Sequence, residues 1–409
     1  MINLSRKSRR LETRMRMREL AYLHSASNTS FDDVFDLSKL YEAGKKCCNN
    51  SRWKSSTIFF EDYMLSLCAK QLKNLTAGIN TFKGFNSFKT MEHGKERDID
   101  AVAIEYRTPQ KCLCNNMLID AYSRTFIYDN ASSLKNKGID FAIRRLKKHL
   151  HDHFVRCGLE GGILQFDFSK YFASIPHWYL KDRANRVIRD TRLRALVHSY
   201  IDNFRLLRNA DPEKAIGVGL GSEISQILAL DAASYIDHYI TEVFGIKGYA
   251  RYMDDGYVIS DSIDKLKDIR EYIFHAAAEK DLIINPKKTI ITPFKSHGFK
   301  FLKIRFRLME SGKILMKMNR KSIKQMRQKL IKFRYWLDEG RMTFDDIYAS
   351  YQSWRACSMR CDSYTTIKNM DEYFIETFAE EARNFRVPIK CFMHVDKNKY
   401  NEYEYSKRS

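Results

Sequence analysis

Four stretches of the chain repeat apolar residues at the spacing of an α-helix. They are the basic segment around Phe141, Leu146 and Leu150, and residues 222–243, 262–281 and 319–385. Because this spacing places the apolar side chains on one face, it predicts amphipathic helices. Ser222 begins the second stretch and is its predicted N-cap. Residues 19–100 carry no readable motif, and we expect them to be mostly helical.

Shorter apolar runs bounded by glycine, proline and aspartate predict strands between these helices. They are a run within residues 161–180 that Pro176 ends, a strand–turn–strand at 248–260, a turn and short strand within 284–294, and a hairpin at 299–318 with its turn at Glu310-Ser311-Gly312. The order of helices and strands predicts an α+β core with a separate helical domain.

The chain is strongly basic, with 71 Lys and Arg against 50 Asp and Glu in 409 residues and a formal net charge of +21. Such an excess favours a polyanionic partner, most often nucleic acid, although it is also compatible with simple solubility or a membrane-surface protein. Near the start of the chain, Arg6, Arg9 and Arg10 are candidates for phosphate contacts, with a solvated arm as the alternative.

Cysteine and histidine spacing gives little support to a structural metal site. The nine cysteines form no two CxxC pairs, and His149, His151 and His153 alternate at a spacing that does not share one helix face. The odd cysteine count and the lack of a signal peptide lead us to expect a reducing cytoplasm. No apolar run reaches the ~18 residues that a membrane span requires, so no membrane partner is expected.

The segment GYARYMDDGYVIS, residues 248–260, places Asp254 and Asp255 side by side at the expected tip of a hairpin. Adjacent carboxylates repel each other, and burial is costly unless a partner or a metal ion offsets their charge. Asp167 ends another predicted strand. Carboxylates on neighbouring strands can hold Mg²⁺, and a pair of such ions supports in-line phosphoryl transfer. An ordinary hairpin turn is the alternative, because Asp-Asp-Gly is common there.

Across roughly residues 105–365 the sequence resembles reverse transcriptases. The resemblance rests on FDFSKYF, GLGSEISQ and YMDD, which occur in the family's order and spacing. It implies a right-hand polymerase whose palm is an antiparallel sheet carrying the acidic site. The expected segments are an arm and helical extension at 1–100, fingers at 101–160, a palm at 161–306, a helical thumb at 307–390 and a polar tail at 391–409.

The resemblance also implies roles for individual residues. Asp167, Asp254 and Asp255 would hold two Mg²⁺ ions, or Mn²⁺ in their place, with help from the carbonyl oxygen of Phe168. Phe172 would exclude a ribose 2′-hydroxyl, with ordinary core packing as the alternative. Lys288 would protonate the leaving pyrophosphate or merely neutralise its charge. Further residues would contact nucleotide or nucleic acid, namely Gly219, Gly221, Ser225, Gln226, Lys303 and Arg305.

Two segments depart from the usual family pattern. The middle motif reads GSEISQ instead of containing Pro-Gln-Gly, which is similar to diversity-generating, abortive-infection and defence-associated bacterial enzymes. In the fingers, NASSLKNKGIDFA replaces an arginine-centred pattern, so the triphosphate contacts are assigned by charge alone. These candidates are Lys135, Lys137, Arg144 and Arg145.

The leading interpretation is a cytoplasmic bacterial RNA-directed DNA polymerase that copies a dedicated structured noncoding RNA into cDNA from dNTPs, in antiphage defence. One alternative is the mutagenic enzyme of a diversity-generating retroelement. Another is template-independent or protein-primed synthesis, for which the tail tyrosines Tyr400, Tyr403 and Tyr405 offer hydroxyl groups. A non-catalytic RNA-binding scaffold is the alternative outside the enzymes.

Overall fold

The computed structural model describes residue 13 and residues 28–384, apart from 50, 93–94, 208–210 and 212–213. The predictions for Arg6, Arg9, Arg10 and the tail tyrosines therefore lie outside the described residues. The chain packs as two compact units, one formed by residues up to 149 and 161–291, the other by residues 150–160 and those from 292 onward. The predicted division into arm, fingers, palm, thumb and tail has other boundaries and stays a prediction.

The first unit starts with helices and a two-stranded ribbon. In chain order they are α1 (Phe31–Val34), α2 (Leu37–Cys48), α3 (Ser55–Asp62), α4 (Met64–Thr76), β1 (Asn86–Glu92), β2 (Lys95–Ala101), α5 (Ile104–Leu113), a π-helical turn (Cys114–Leu118) and α6 (Ile119–Ser123). Ser30 and Asp33 form a reciprocal capping box at the start of α1. Such a box satisfies two backbone N–H groups that a helix leaves without partners.

Helices form just over half of the described part of residues 28–100, as predicted, and the β1–β2 ribbon is the element that the sequence analysis missed. Its strands lack an alternating apolar pattern, and Phe88 is 53% exposed. Polar cross-strand pairs stabilise it instead, including Lys89 Nζ with Glu96 at 3.0 Å and the Ser87 hydroxyl with Asp100 at 2.8 Å. Pairs of this kind are invisible to a reading based on hydrophobic period.

A long helix, a four-stranded sheet and flanking helices follow. They are α7 (Ile139–Cys157), β3 (Gly162–Asp167), α8 (Tyr171–Ser174), α9 (His177–Val187), α10 (Thr191–Leu207), α11 (Glu223–Ala232), α12 (Ser234–His238), a second π-helical turn (Tyr239–Val243), β4 (Gly248–Tyr252), β5 (Asp255–Ser260), α13 (Ile263–Ala278) and β6 (Ile290–Pro293). The strand order is β4-β5-β3-β6, and β5 runs antiparallel to both β3 and β4. The predicted α+β class is therefore confirmed.

The helix predicted for residues 222–243 is interrupted rather than continuous. It divides at Ala233, where the Ser234 hydroxyl donates a hydrogen bond to the buried Asp231. Ser222 does occupy the N-cap position, but its hydroxyl donates to Gln110 instead of capping the helix. A segment whose apolar period predicts one helix thus consists of two α-helices and a π-helical turn.

The ring of Phe166 on β3 packs where the opposite residue on β5, Gly256, has no side chain. Phe166 faces Gly256 across the two strands, and a Cβ added at Gly256 would lie 2.2 Å from the Phe166 ring. Phe166 also stacks on Tyr249 with ring centroids 6.4 Å apart. The ring therefore fills the space that a side chain at residue 256 would need.

We expect Gly256→Ala to lower the free energy of unfolding by roughly 1–3 kcal/mol, because the added methyl overpacks a closed core. Urea unfolding monitored by circular dichroism measures the change. Adding Phe166→Leu to the same chain should recover part of the loss, since the two side chains compete for one volume. Additive effects of the two substitutions would contradict this account.

The second unit contains a three-stranded sheet and a helical core. Its elements are β7 (Phe299–Phe301), β8 (Ile304–Leu308), β9 (Ile314–Met318), α14 (Arg320–Asp338), α15 (Phe344–Ser358), α16 (Tyr364–Thr377) and α17 (Ala379–Asn384). The single predicted hairpin is thus a three-stranded meander. Leu302 and Lys303, with φ values of 47° and 68°, form a two-residue turn that the apolar pattern does not reveal.

The helical core of the second unit is built around aromatic rings. Tyr351 stacks on Phe374 with centroids 4.3 Å apart, and its hydroxyl donates to Asp371 at 2.6 Å. Arg355 pairs with the same carboxylate. The helical pattern predicted for residues 319–385 is confirmed for the part that is described. No helix among the described residues is both long and apolar enough to cross a membrane.

Candidate active site

The YMDD segment forms the tight turn between β4 and β5. Tyr252 pairs with Asp255 in the strand register, so the two turn residues are Met253 and Asp254. Met253 has φ +57°, a left-handed conformation that is costly for a residue with a side chain. The predicted hairpin tip is therefore present. It is the Met-Asp pair that turns, while Asp255 already belongs to β5.

Three carboxylates meet at this turn, although they lie far apart in the sequence. Asp167 ends β3 and is the register partner of Asp255. Burial, the charges of Asp254 and Asp167, and a hydrogen bond with Asp167 raise the pKa of Asp255 to about 7. Burial and the neighbouring negative charges thus both disfavour ionisation of Asp255. The strand register and the turn bring Asp167, Asp254 and Asp255 next to one another.

Lys288 supplies a positive charge to the same cluster. Its ammonium lies 2.5 Å from Oδ2 of Asp167, and this hydrogen bond raises the pKa of Lys288. The Asn285 N–H donates to the carbonyl of Asp167 at 2.8 Å, which attaches the Lys288 loop to the end of β3. Because the lysine side chain is about half exposed, it can reach both the carboxylate and solvent.

The residues at the turn fit a divalent cation that shares its coordination with substrate. Within the described ranges, no three His, Cys, Asp or Glu side chains form a ready-made metal cage. Mg²⁺ does not require one, since it is commonly held by one or two carboxylates together with phosphate oxygens and water. Asp167 pairs with the Lys288 ammonium, so a positive charge already lies against this carboxylate. Phe168, whose N–H donates to the Asp254 carbonyl at 3.3 Å, keeps its main chain beside the turn.

Phe172 and the glycine segment lie next to each other. The Val218 N–H donates to the Phe172 carbonyl at 2.7 Å, and the Phe172 ring is half-buried. Gly221 has φ +114°, which favours glycine. Gly219 is required for space, since a Cβ there would lie 2.5 Å from the Phe204 ring. These glycines shape the loop that leads into α11.

Two polar candidates, Ser225 and Gln226, lie in the first turn of α11 and differ in solvent exposure. Gln226 is partly exposed, whereas Ser225 is fully buried and its hydroxyl has no hydrogen-bond partner among the described residues. The predicted contact between Ser225 and nucleic acid stays a prediction, for a side chain that this conformation places on the core side of α11.

The basic candidates of the 128–145 segment are engaged to different degrees. The Lys137 ammonium donates to the carbonyls of Tyr128 at 2.6 Å and Asn130 at 3.0 Å, and burial lowers its pKa. Arg145 pairs with Asp129, while Arg144 and Lys135 are exposed. Lys137 thus organises its own loop, and its predicted contact with a triphosphate stays a prediction.

The histidines of α7 have protein partners. Nδ1 of His149 lies 2.9 Å from the Tyr257 hydroxyl, and Nε2 of His153 lies 2.8 Å from the Glu160 carbonyl. Both rings are buried. They pack the long helix against its surroundings.

The sequence analysis missed a buried ion pair behind the acidic turn. Arg251 of β4 and Asp237 of α12 are both fully buried and lie 2.6 Å apart. A signal was present, because an arginine within the apolar run GYARYM and an aspartate on an apolar helix face are both costly unless paired. The sequence does not indicate that the two residues are partners, because they lie 14 positions apart.

In the second unit, Lys303 and Arg305 belong to a basic face of the three-stranded sheet. Arg305 of β8 is the register partner of both Lys300 in β7 and Lys317 in β9, which makes three adjacent positive charges. Lys303, at the β7–β8 turn, is exposed. Like charges directly opposite one another destabilise a sheet, so this row suits a polyanion.

The first unit is thus an α+β protein whose antiparallel sheet presents three carboxylates and a lysine at one turn. A family model described as "Reverse transcriptase (RNA-dependent DNA polymerase)" matches residues 93–306, just over half of the chain. The chain therefore belongs to the reverse transcriptase family. No curated protein sequence matches it.

Solved structures with a similar fold include two telomerases. Apo telomerase from Candida tropicalis, truncated from the C-terminal domain, gives a TM-score of 0.42 at 13% identity over 57% of this chain and 55% of that chain. Telomerase from Candida albicans in complex with a TWJ fragment of telomeric RNA gives 0.45 at 11% identity over 80% and 62%. This chain thus spans less than two thirds of either one.

Proposed function

We propose that this chain is an RNA-directed DNA polymerase that extends a primer with dNTPs in the presence of Mg²⁺. The observation that carries the proposal is the meeting of Asp167, Asp254 and Asp255 at one turn, in a chain of the reverse transcriptase family. Three mutually repelling carboxylates would only destabilise a purely structural hairpin. A site that binds a cation together with phosphates requires such negative charges to hold the cation.

The reaction would join the primer 3′-oxygen to the α-phosphorus of a dNTP, with loss of the 3′-hydroxyl proton and release of pyrophosphate. Asp167, Asp254 and Asp255 would hold Mg²⁺, with a further oxygen from the Phe168 carbonyl. Bound Mg²⁺ would neutralise the phosphate charge and stabilise the attacking and leaving oxygens. Lys288, beside Asp167, would give the leaving pyrophosphate either a proton or a compensating charge.

Primer extension by the purified full chain tests the proposal. The chain is incubated with a DNA primer annealed to an RNA template, with the four dNTPs and with Mg²⁺ or Mn²⁺. We expect cDNA of template length. If neither this substrate nor the RNA that copurifies with the chain supports dNTP incorporation, the non-catalytic RNA-binding scaffold becomes the better interpretation.

We further propose a cytoplasmic bacterial enzyme that copies a dedicated structured noncoding RNA in antiphage defence. The GSEISQ motif, through its resemblance, and the basic charge of the chain support this reading. Sequencing the copurifying nucleic acid tests it. One recurrent structured RNA supports the proposal. A template repeat with a mutated copy would favour a diversity-generating element, and DNA that stays on denatured protein would favour protein priming.

We expect Phe172→Ala to raise the incorporation of ribonucleotides relative to deoxynucleotides about 5- to 150-fold, since a lost steric clash is worth about 1–3 kcal/mol. The ratio of kcat/KM for GTP and dGTP measures the change and does not depend on the fraction of folded enzyme. Phe172→Tyr is the matched control, because it keeps the ring and should keep the ratio. An unchanged ratio in the alanine variant would assign Phe172 to the core alone.

We expect the double variant Lys300→Ala/Arg305→Ala to bind an RNA–DNA duplex more weakly and with a smaller salt dependence. Each lost phosphate contact should reduce the slope of log K against log salt by about 0.7–0.9. Fluorescence anisotropy at several salt concentrations measures this slope. Lys267→Ala, on the exposed surface of α13, is the control. A slope equal to that of the unmodified chain would remove the basic face from the binding surface.

A further inference from the structure

Arg251 and Asp237 form the most deeply buried ion pair of the first unit's described residues. The Arg251 Nε lies 2.8 Å from one Asp237 oxygen and Nη2 lies 2.6 Å from the other, with both side chains 0% exposed. The Tyr249 hydroxyl donates to the same carboxylate at 2.6 Å. Burying two charges this completely costs much of what their attraction returns. Stability alone is therefore a poor reason for the pair.

The remaining donors of Arg251 point to a local task. Nη1 donates to the carbonyl of Met253 at 2.7 Å, and Nη2 donates to the carbonyl of Leu230 in α11 at 2.8 Å. The Met253 carbonyl belongs to the peptide group that leads into Asp254. Met253 is also the turn residue with φ +57°. The guanidinium thus hydrogen-bonds to the main chain of a strained turn, and the next residue of that turn, Asp254, carries a carboxylate.

The main chain of Arg251 also forms hydrogen bonds with residues 129–131. Its N–H donates to the Asp129 carbonyl at 3.3 Å, and its own carbonyl accepts from the Ala131 N–H at 2.9 Å. Residues 129–131 begin the loop that Lys137 closes. One residue therefore connects the acidic turn, α11, α12 and the basic loop, all within the first unit.

We propose that Arg251, oriented by Asp237, is a positioning residue that holds the Met253–Asp254 turn in the conformation that binds divalent cations. The inference rests on the proposed function only in that the three carboxylates bind such a cation. Lysine cannot replace this arginine, because a single ammonium lacks the planar set of donors that reaches Asp237, Leu230 and Met253 together. Asp237 acts through Arg251, with which it shares two hydrogen bonds.

Another buried pair in the same unit provides a matched control. Arg183 Nε lies 2.7 Å from Asp231 Oδ2 and Nη2 lies 2.9 Å from Oδ1, which gives the same forked geometry. Asp231 also accepts from Thr125 and Ser234. None of these contacts reaches the turn at Met253. Removing this pair disturbs a buried charge network without removing the hydrogen bond to the turn.

The experiment compares Arg251→Met/Asp237→Leu with Arg183→Met/Asp231→Leu in the full chain. Replacing both partners by apolar residues of similar size often preserves a fold, and circular dichroism with thermal unfolding identifies the folded variants. Mn²⁺ binding, followed by electron paramagnetic resonance without nucleotide, is the first measurement. The Mg²⁺ concentration that gives half-maximal primer extension is the second.

We expect the Arg251/Asp237 variant to bind Mn²⁺ at least about tenfold more weakly and to need correspondingly more Mg²⁺, a difference of about 1.4 kcal/mol. The Arg183/Asp231 variant should stay within about twofold of the unmodified chain in both measurements. A folded Arg251/Asp237 variant with unchanged Mn²⁺ affinity overturns the inference. Equal losses in the two variants overturn it as well, because the effect would then be general.

Arg251→Lys covers the case in which the double variant does not fold. It keeps the buried charge, and we expect the same weakening of Mn²⁺ binding. Adding Met253→Gly, which removes the side-chain penalty of the left-handed turn, should restore part of the affinity. Wild-type affinity in the lysine variant overturns the inference. An unmodified chain that binds Mn²⁺ but makes no cDNA would refute only the proposed function.

Discussion

Asp254→Ala is expected to reduce Mg²⁺-dependent dNTP incorporation at least about 1,000-fold, equivalent to about 4 kcal/mol of transition-state stabilisation. Asp254 is a turn residue beside Asp167 and Asp255, so its removal takes away one of the three carboxylates that we propose to hold Mg²⁺. Asp167 and Asp255 would then remain without the third carboxylate. The loss should therefore appear in kcat rather than in the affinity for nucleic acid.

Primer extension at saturating template measures this effect, and duplex binding by anisotropy measures the accompanying affinity. Asp268→Ala is the matched control, because this aspartate is exposed on α13 in the same unit. We expect it to incorporate dNTPs at the rate of the unmodified chain. Incorporation by Asp254→Ala within a few-fold of that rate would exclude the acidic turn as the catalytic centre.

The second large effect concerns stability without metal. We expect Asp255→Asn to raise the free energy of unfolding by roughly 2–4 kcal/mol at about pH 8 in EDTA, although it removes a carboxylate that we propose to be catalytic. Burial and the neighbouring carboxylates raise the pKa of Asp255 from 3.8 to about 7. Above about pH 7 the folded chain must hold an ionised group that the site disfavours. Asparagine has no such charge.

The pH dependence gives the sign of this effect. Between about pH 4 and pH 7, the folded state keeps a proton on Asp255 that the unfolded state has already released. The contribution of Asp255 to stability therefore falls as the pH rises through this window, and above it the full cost remains. The advantage of the asparagine variant should grow from about pH 4 to pH 7 and then level off.

Urea unfolding at several pH values in EDTA tests this expectation. Asp268→Asn removes an exposed aspartate from the same unit and should give no growing advantage across the window. An Asp255→Asn advantage that is constant with pH would show that the ionisation of Asp255 does not govern the difference. Burial and the neighbouring carboxylates would then not raise the pKa of Asp255.

The acidic site was the part of the structure most accessible to sequence reasoning. Asp167 and the Asp254–Asp255 pair stand out because carboxylates at the ends of apolar runs are costly without a partner, whatever the fold. The strands that carry them follow from the same apolar runs. The residues behind the site were not accessible, because Arg251, Asp237 and the Met253 carbonyl come together only in space.

The errors share a physical cause. The β1–β2 ribbon is stabilised by polar cross-strand pairs such as Lys89 with Glu96, and the break in the 222–243 helix lies beside a hydrogen bond between the buried Asp231 and Ser234. The spacing of apolar residues along the chain contains no information about either kind of polar interaction. The complete burial of Ser225 on the core side of α11 is likewise not visible in its motif position.

The sequence by itself determined the α+β class, the basic charge, and the identity of the carboxylates at the turn, because these depend on composition and on patterns within a few residues. Only the tertiary structure decided that Asp167 lies opposite Asp255, that Lys288 reaches Asp167, and that Arg251 supports the turn. The physical reason is that strand register and buried ion pairs join residues many positions apart. Their energies depend on burial and distance, which no local pattern of residues contains.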